Sequence, residues 1–215
     1  MRFVFLSDTH SLHERMKHPV PAGDVLIHCG DFCGQSNLAN IEDFAQWFGR
    51  FPHEHKVVIA GNHDIPLEQD AENAEKLLSS FHYLRDSAVT LDSVKLYGSP
   101  WQPEFFNWAF NLPRGADLAR MWANIPEDTN VLVTHGPPHG ILDACPGMRN
   151  PHRHVHVGCE ELNKRVQQLP DLKAHAFGHI HEGSGVYVRS RVTYVNASIC
   201  DGKYRPNNPP RVVEI

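Results

Sequence analysis

The chain has 215 residues, with 20 Lys and Arg against 25 Asp and Glu, a formal net charge of −5 and 16 His. That length suits one α/β domain, residues 1–215, with a sizeable core, and the acidic balance argues against a surface that wraps an extended nucleic acid, which needs clustered Lys and Arg. Five Cys at irregular spacing form neither a disulfide framework nor a zinc ribbon; the chain starts on a strand pattern without a basic region and long apolar run, so no signal peptide or membrane span is expected and a cytoplasmic location is.

Short apolar runs at residues 3–6, 25–27, 57–59, 131–133 and 174–177 read as buried strands, each bounded by Gly, Asp or His. Asn37 or Ser36 caps a helix to about Phe51, whose apolar face is Phe44, Trp47, Phe48 and Phe51. Further helices are predicted over 71–81, 114–124 and 159–168, the last after a break at Gly158. Residues 94–97, 185–188, 192–195 and 212–215 read as strands of a later sheet.

Each of the five apolar runs leads into a polar cluster: Asp8-Thr9-His10, Gly30-Asp31, Gly61-Asn62-His63-Asp64, His135-Gly136 and Gly178-His179-Ile180-His181. Strands in one sheet would deliver all five to a single edge. Carboxylate suits hard divalent cations, imidazole suits Mn, Fe, Ni and Zn, and an amide oxygen completes a shell without adding charge. Asp31 is the candidate bridge between two metals, with Asp8, His10 and His181 on one and Asn62, His135 and His179 on the other. Two cations roughly 3.5–4 Å apart share and acidify a water and stabilise both oxygens of an in-line displacement, which is phosphoester hydrolysis in outline. In Gly-Asn-His-Asp, Gly61 lets the backbone turn at positive φ, Asn62 ligates, His63 lies beside the site, and Asp64 is placed to hold its tautomer. An extended Gly-His-Ile-His would put His179 and His181 on one face.

In this order and spacing the five clusters resemble the calcineurin-like metallophosphoesterase superfamily across nearly the whole chain. A narrower resemblance, to the metallophosphoesterase-domain-containing branch of animal brain proteins and bacterial relatives, is carried by the segments 97–103, 110–115, 134–138 and 158–162, by Asn196-Ala197-Ser198, and by Pro206-x-Asn208-Pro209-Pro210. The resemblance implies an α/β four-layer αββα sandwich of two mixed sheets flanked by helices, a dinuclear site, and hydrolysis of phosphodiesters, cyclic nucleotides among them. Some animal members carry Gly for the first His of Gly-His-x-His; this chain keeps His179, so a complete site is expected.

Other features have plainer readings. The aromatic residues of segment 99–113 (Trp101, Phe105, Phe106, Trp108, Phe110) read as an ordered loop packed over the domain, with an aromatic wall for a flat substrate group as the alternative. The tract His152-Arg153-His154-Val155-His156 reads as a polar loop near the site, and His139 as a substrate or supporting contact near His135. Cys29 and Cys33 read as small buried thiols, and His13, His18, His53, His55 and His82 as solvated. The expected activity is a metal-dependent phosphodiesterase on small nucleotide-like substrates, with a bridging hydroxide as nucleophile, His63 as acid and Asp64 orienting it. Mn²⁺ is the leading metal, with Fe, Zn, Mg, Ni or Co as substitutes. The alternatives are a phosphomonoesterase and a nucleotide-binding regulatory protein with weak catalysis.

Overall fold

The computed structural model describes residues 1–34, 37–148 and 150–215, so Ser36 as a cap falls outside the described residues. In chain order the elements are β1 (Arg2–Leu6), β2 (Val25–His28), α1 (Leu38–Gly49), β3 (His55–Val58), α2 (Pro66–Gln69), α3 (Ala71–Leu77), β4 (His82–Tyr83) and β5 (Ser87–Leu91). They continue with β6 (Val94–Ser99), β7 (Gln102–Pro103), β8 (Asn111–Leu112), α4 (Ala116–Ala123), β9 (Val131–Thr134), β10 (Ala144–Gly147) and β11 (Asn150–His156). The chain closes with α5 (Glu160–Gln168), β12 (Ala174–Phe177), β13 (Gly185–Arg189), β14 (Val192–Asn196) and β15 (Arg211–Glu214).

Two mixed sheets dominate, one of order β15-β1-β2-β3-β4 and one of order β13-β14-β12-β9-β6-β5. Strand alternation builds the layers. Phe3, Phe5, Val25, Ile27 and Val57 turn inward against Leu96, Val131, Val133, Ala176 and Val195 of the second sheet. The alternate residues Val4, Leu6, Leu26 and Val58 pack outward against Ile41, Phe44 and Phe48 of α1 and Ala74 of α3. On the far side Tyr97, Leu132, Phe177 and Tyr194 meet Leu118 and Trp122 of α4 and Leu162 and Val166 of α5. The result is the αββα order.

Helix α1 begins where Asn37 Oδ1 accepts the Asn40 N–H at 2.9 Å, and it buries the expected Phe44, Trp47 and Phe48. Helices α3 and α4 are shorter than their apolar patterns suggest, ending at Leu77 and Ala123. The C-terminal strand β15 pairs antiparallel with β1, so it belongs to the first sheet and not to the later one. The tract 152–156, expected to be a loop, lies within β11, hairpinned to β10. His13 and His53 are buried, contrary to a solvated role: His13 Nε2 lies 3.1 Å from Asp43 against the ring of Trp47, and His53 Nε2 lies 3.0 Å from the Pro21 carbonyl. Among the described residues, no helix is long and apolar enough to cross a membrane.

Candidate metal centre

Parallel β1, β2 and β3 end side by side, and so do β9 and β12 in the second sheet. The polar clusters therefore arrive from two sheets, three from the first and two from the second, and meet across the gap. Main-chain bonds zip the loops together: Asp8 N–H donates to Gly30 O at 2.9 Å, His10 N–H to Asp31 O at 3.0 Å, and Gly178 N–H to His135 O at 2.9 Å. Asp8 closes the seam between the sheets, accepting the His179 N–H at 3.0 Å and the Ser198 hydroxyl at 2.8 Å.

The glycines act by allowing close approach. A Cβ on Gly61 would stand 2.3 Å from Asp31 Oδ1, and one on Gly178 would stand 2.0 Å from Asp8 Oδ2. Gly61 is thus needed for contact, and it is absent from the glycines with positive φ. Instead the non-glycine residues take the left-handed region: Asp8 at φ 53°, His10 at 44°, Asp31 at 58° and His179 at 67°. Such conformations persist only where surrounding structure enforces them, and they gather at functional sites.

Two groups of the expected ligands result, Asp8 with His10 and His181, and Asp31 with His135 and His179, each with ligand atoms within 4.8 Å of one another, and a third group of the same kind joins His10 and Asp31 to His63. His10 Nε2 and His181 Nε2 face each other at 3.3 Å, and His135 Nε2 faces Asn62 Oδ1 at 2.9 Å. His135 Nδ1 lies 2.9 Å from the Cys29 carbonyl and His181 Nδ1 lies 3.2 Å from the Asp201 carbonyl. Donation of Nδ1–H to those carbonyls leaves each Nε2 as a lone pair aimed at other acceptors, an arrangement that a cation satisfies. Buried Asn62 Nδ2 has no hydrogen-bond partner. Asp31 sits between the groups, with Oδ1 3.4 Å from His135 Nε2 and Oδ2 3.9 Å from His10 Nε2. The donor set fits divalent cations.

The electrostatics agree. Burial pulls the Asp8 carboxyl up, but the hydrogen bond and charge of His181, with His135 and His10 behind, outweigh it and hold the group well below the usual carboxylate range. Burial likewise opposes, and His135 wins, at Asp31. Desolvation lowers His10 to about 4 and His179 to about 3, while His135, despite burial, is raised to about 9 by the Asp31 charge and hydrogen bond. Ionised carboxylates and neutral imidazoles are the forms that ligate; His135 gives up a proton to join them.

His63 and Asp64 part company. His63 donates its main-chain N–H to Asp31 Oδ1 at 2.8 Å, and its ring packs on His10 at 4.7 Å and on Trp108 at 4.5 Å. A ring nitrogen lies within 4.8 Å of ligand atoms of His10 and Asp31, closer than a position merely beside the site. The Asp64 carboxylate instead accepts main-chain N–H groups of Gly61 at 2.7 Å, Asp31 at 2.8 Å and Cys33 at 2.9 Å. Its geometry is that of a loop clamp in place of the expected orientation of His63. Burial, then the charge of Asp31, raises Asp64 to about 7.

The Gly-His-Ile-His segment is not extended. His179 is left-handed and His181 opens a 3-10 turn, so the two rings diverge, one to each donor group. Sequence reasoning gave Ser198 no chemical role, and Tyr204 escaped it, though its ring lies 4.9 Å from both His10 and His181. The triplet Asn196-Ala197-Ser198 was the only signal for the first; nothing in the sequence marked the second. His139 faces the hairpin base, its ring 5.8 Å from His156, and β11 alternates: Arg153 and Val155 line the cavity above the donors while His156 Nδ1 bonds buried Asp143 at 2.6 Å.

Fold and site together define a metallophosphoesterase, a metal-dependent hydrolase of phosphoesters. The sequence profile of the calcineurin-like phosphoesterases matches residues 1–183, and the chain belongs to that family. It is 43% identical over 237 residues to the human Metallophosphoesterase domain-containing protein 1, covering 100% of this chain and 71% of that protein. It is 36% identical over 233 residues to a UPF0046 protein of Caenorhabditis elegans, covering 100% of this chain and 81% of the relative. In fold it is similar to the crystal structure of TT1561 of Thermus thermophilus, with a TM-score of 0.60 at 13% identity, over 91% of this chain and 88% of that one.

Proposed function

We propose that residues 1–215 are a single-domain phosphodiesterase with a dinuclear metal centre, acting on small nucleotide-like diesters. Asp8, His10, His181 and Asp31 would hold one divalent cation, and Asp31, Asn62, His135 and His179 a second. The observation that carries this reading is the split carboxylate of Asp31, one oxygen toward His135 and the other toward His10. Such a metal pair supplies Lewis-acid neutralisation of the phosphoryl oxygens and an acidified water. His63, on the cavity wall, donates a proton to the departing alkoxide. Asp64 holds the loops after β2 and β3 in register.

The preference for diesters follows from charge. The five clusters contain no Lys or Arg. Of the two arginines lining the cavity among the described residues, Arg114 is committed to the Gly158 carbonyl at 2.8 Å, the Val157 carbonyl at 2.6 Å and Glu160 at 2.6 Å, which leaves Arg153 of β11, outside the five clusters, as the one cavity arginine that could meet a second phosphate charge. A monoester dianion is usually clamped by free Arg or Lys, whereas a diester carries one charge and needs a proton for its leaving group. The reading includes Mn²⁺ as the preferred ion, Fe, Zn, Mg, Ni or Co as substitutes, a cytoplasmic setting, and neither membrane nor extended nucleic acid as partner.

The test is kcat/KM for bis-p-nitrophenyl phosphate and a cyclic nucleotide against p-nitrophenyl phosphate and the matching nucleoside monophosphate, across Mn²⁺, Mg²⁺, Zn²⁺ and Fe²⁺. Diesters should win in both pairs. Monoesters ahead by about tenfold, a gap of ~1.4 kcal/mol in transition-state stabilisation, would make the protein a phosphatase.

A further inference from the structure

Segment 99–113 divides its aromatic residues into two kinds. Phe110 is fully buried, and Trp101, hydrogen-bonded through Nε1 to Asp86 at 2.7 Å, packs against the core. Phe105 and Phe106 remain 39% and 62% exposed. With Trp108 they form a ring cluster, with centroids 4.3 Å apart for Phe105 and Phe106, 5.7 Å for Phe105 and Trp108, and 5.2 Å for Phe106 and Trp108. Rings left at the surface in one cluster do not serve the core.

The cluster is aimed and held. Trp108 packs on His63 with centroids 4.5 Å apart and the rings tilted by 47°, and Phe105 meets His179 edge-on at 6.4 Å, on the wall of a cavity of about 720 Å³. Phe106 takes φ 54°, a strained value for a bulky residue, while its ring stays mostly exposed, its ring contacts being those with Phe105 and Trp108 of the cluster. Asn111 enforces the conformation, its Nδ2 donating to the carbonyls of Phe105 at 3.3 Å and Phe106 at 3.0 Å. A strained loop fastened to present apolar rings beside a proton donor is a binding surface.

We propose that Phe105, Phe106 and Trp108 form a shelf that binds a planar, uncharged aromatic ring on the leaving arm of the substrate. The assignment to that arm rests on the role of His63 as acid: whatever His63 protonates departs past Trp108. Faces of Phe and Trp favour a flat ring over a saturated one of similar bulk, and Glu104, on the same loop and lining the same cavity, disfavours an anionic group there. Asn111 is the positioning residue of the shelf.

The experiment compares two methyl phosphodiesters that differ in leaving alcohol, 2-naphthylmethyl and cyclohexylmethyl, both of which need a proton to depart. In the Mn²⁺-loaded enzyme, kcat/KM should favour the naphthylmethyl ester by about tenfold, with naphthylmethanol as product, and the preference should shrink below about threefold in Trp108→Leu and Phe105→Leu. A second reading needs no turnover: adenosine, a neutral planar probe, should quench tryptophan fluorescence saturably in the wild type and not in Trp108→Leu. Equal turnover of the two esters overturns the shelf and leaves the phosphodiesterase reading standing. If neither diester is hydrolysed, that reading falls, and the shelf is then decided by adenosine alone, upheld by quenching that vanishes in Trp108→Leu and overturned by none.

Discussion

Asp64 accepts the main-chain N–H of Asp31 at 2.8 Å, so a carboxylate outside both donor groups fixes the residue that stands between them. In Asp64→Asn one acceptor oxygen becomes an NH₂ that faces a main-chain donor. Loss of charge-assisted bonds at a buried site should cost ~2–4 kcal/mol of stability. Urea unfolding in the presence of chelator should show it as a lower midpoint, and metal uptake should weaken alongside. An unchanged midpoint would refute the clamp.

Asp31→Asn tests the bridge. An amide presents one oxygen and carries no charge, so both cations should be lost or weakly held, whereas His179→Ala should release only one. Elemental analysis after gel filtration decides between them. Two tightly held metals in Asp31→Asn would end the bridging role.

His63→Ala should keep its metals, because neither proposed ligand set includes it. The loss in kcat should reach roughly 10²–10⁴-fold for diesters with poor alkoxide leaving groups and be far smaller for p-nitrophenolate, which leaves without a proton. Equal losses with both leaving groups would contradict an acid role.

His175 offers a pH signature away from the metals. Fully buried, with Nε2 2.8 Å from the Thr134 hydroxyl, it is lowered by desolvation to about 3. An unfolded His titrates near ~6.5, so the unfolded state binds the extra proton as pH falls. Stability is therefore full above that value and declines between it and pH 3, by up to about 1.4 kcal/mol per pH unit for this one group. In chelator-treated protein, His175→Gln should flatten the decline between pH 6 and 4 relative to wild type; parallel curves would show that His175 does not contribute.

The sequence conveyed the strands and the ligand types well, because an apolar run ending in Asp or His is a local signal. It conveyed α1 for the same reason, through the spacing of Phe44, Trp47 and Phe48. What it could not convey was non-local. Whether β15 joins the first or the second sheet depends on a partner more than 200 residues away in sequence, β1. The polar tract 152–156 alternates His with Arg and Val, so it lacks the apolar face that marks a strand, and only its pairing with β10 makes it one. Gly61 looked like a turn glycine, yet the clash that requires it comes from Asp31 and His135, far along the chain. The role of Asp64 was hidden likewise, since its partners are main-chain groups with no side-chain signature.

Asn111 and Arg114 fasten two segments of the cavity wall, the first through the carbonyls of Phe105 and Phe106, the second through those of Val157 and Gly158. All four acceptors are main-chain oxygens, which every residue type supplies. The fastenings are therefore blind to the side chains they hold in place. Phe105, Phe106 and Val157 can be exchanged without loosening either segment, and new wall chemistry can be tried while the donor groups below stay where they are. Divergence of substrate range in such a framework needs few changes, and it leaves the hydrolytic centre as common inheritance.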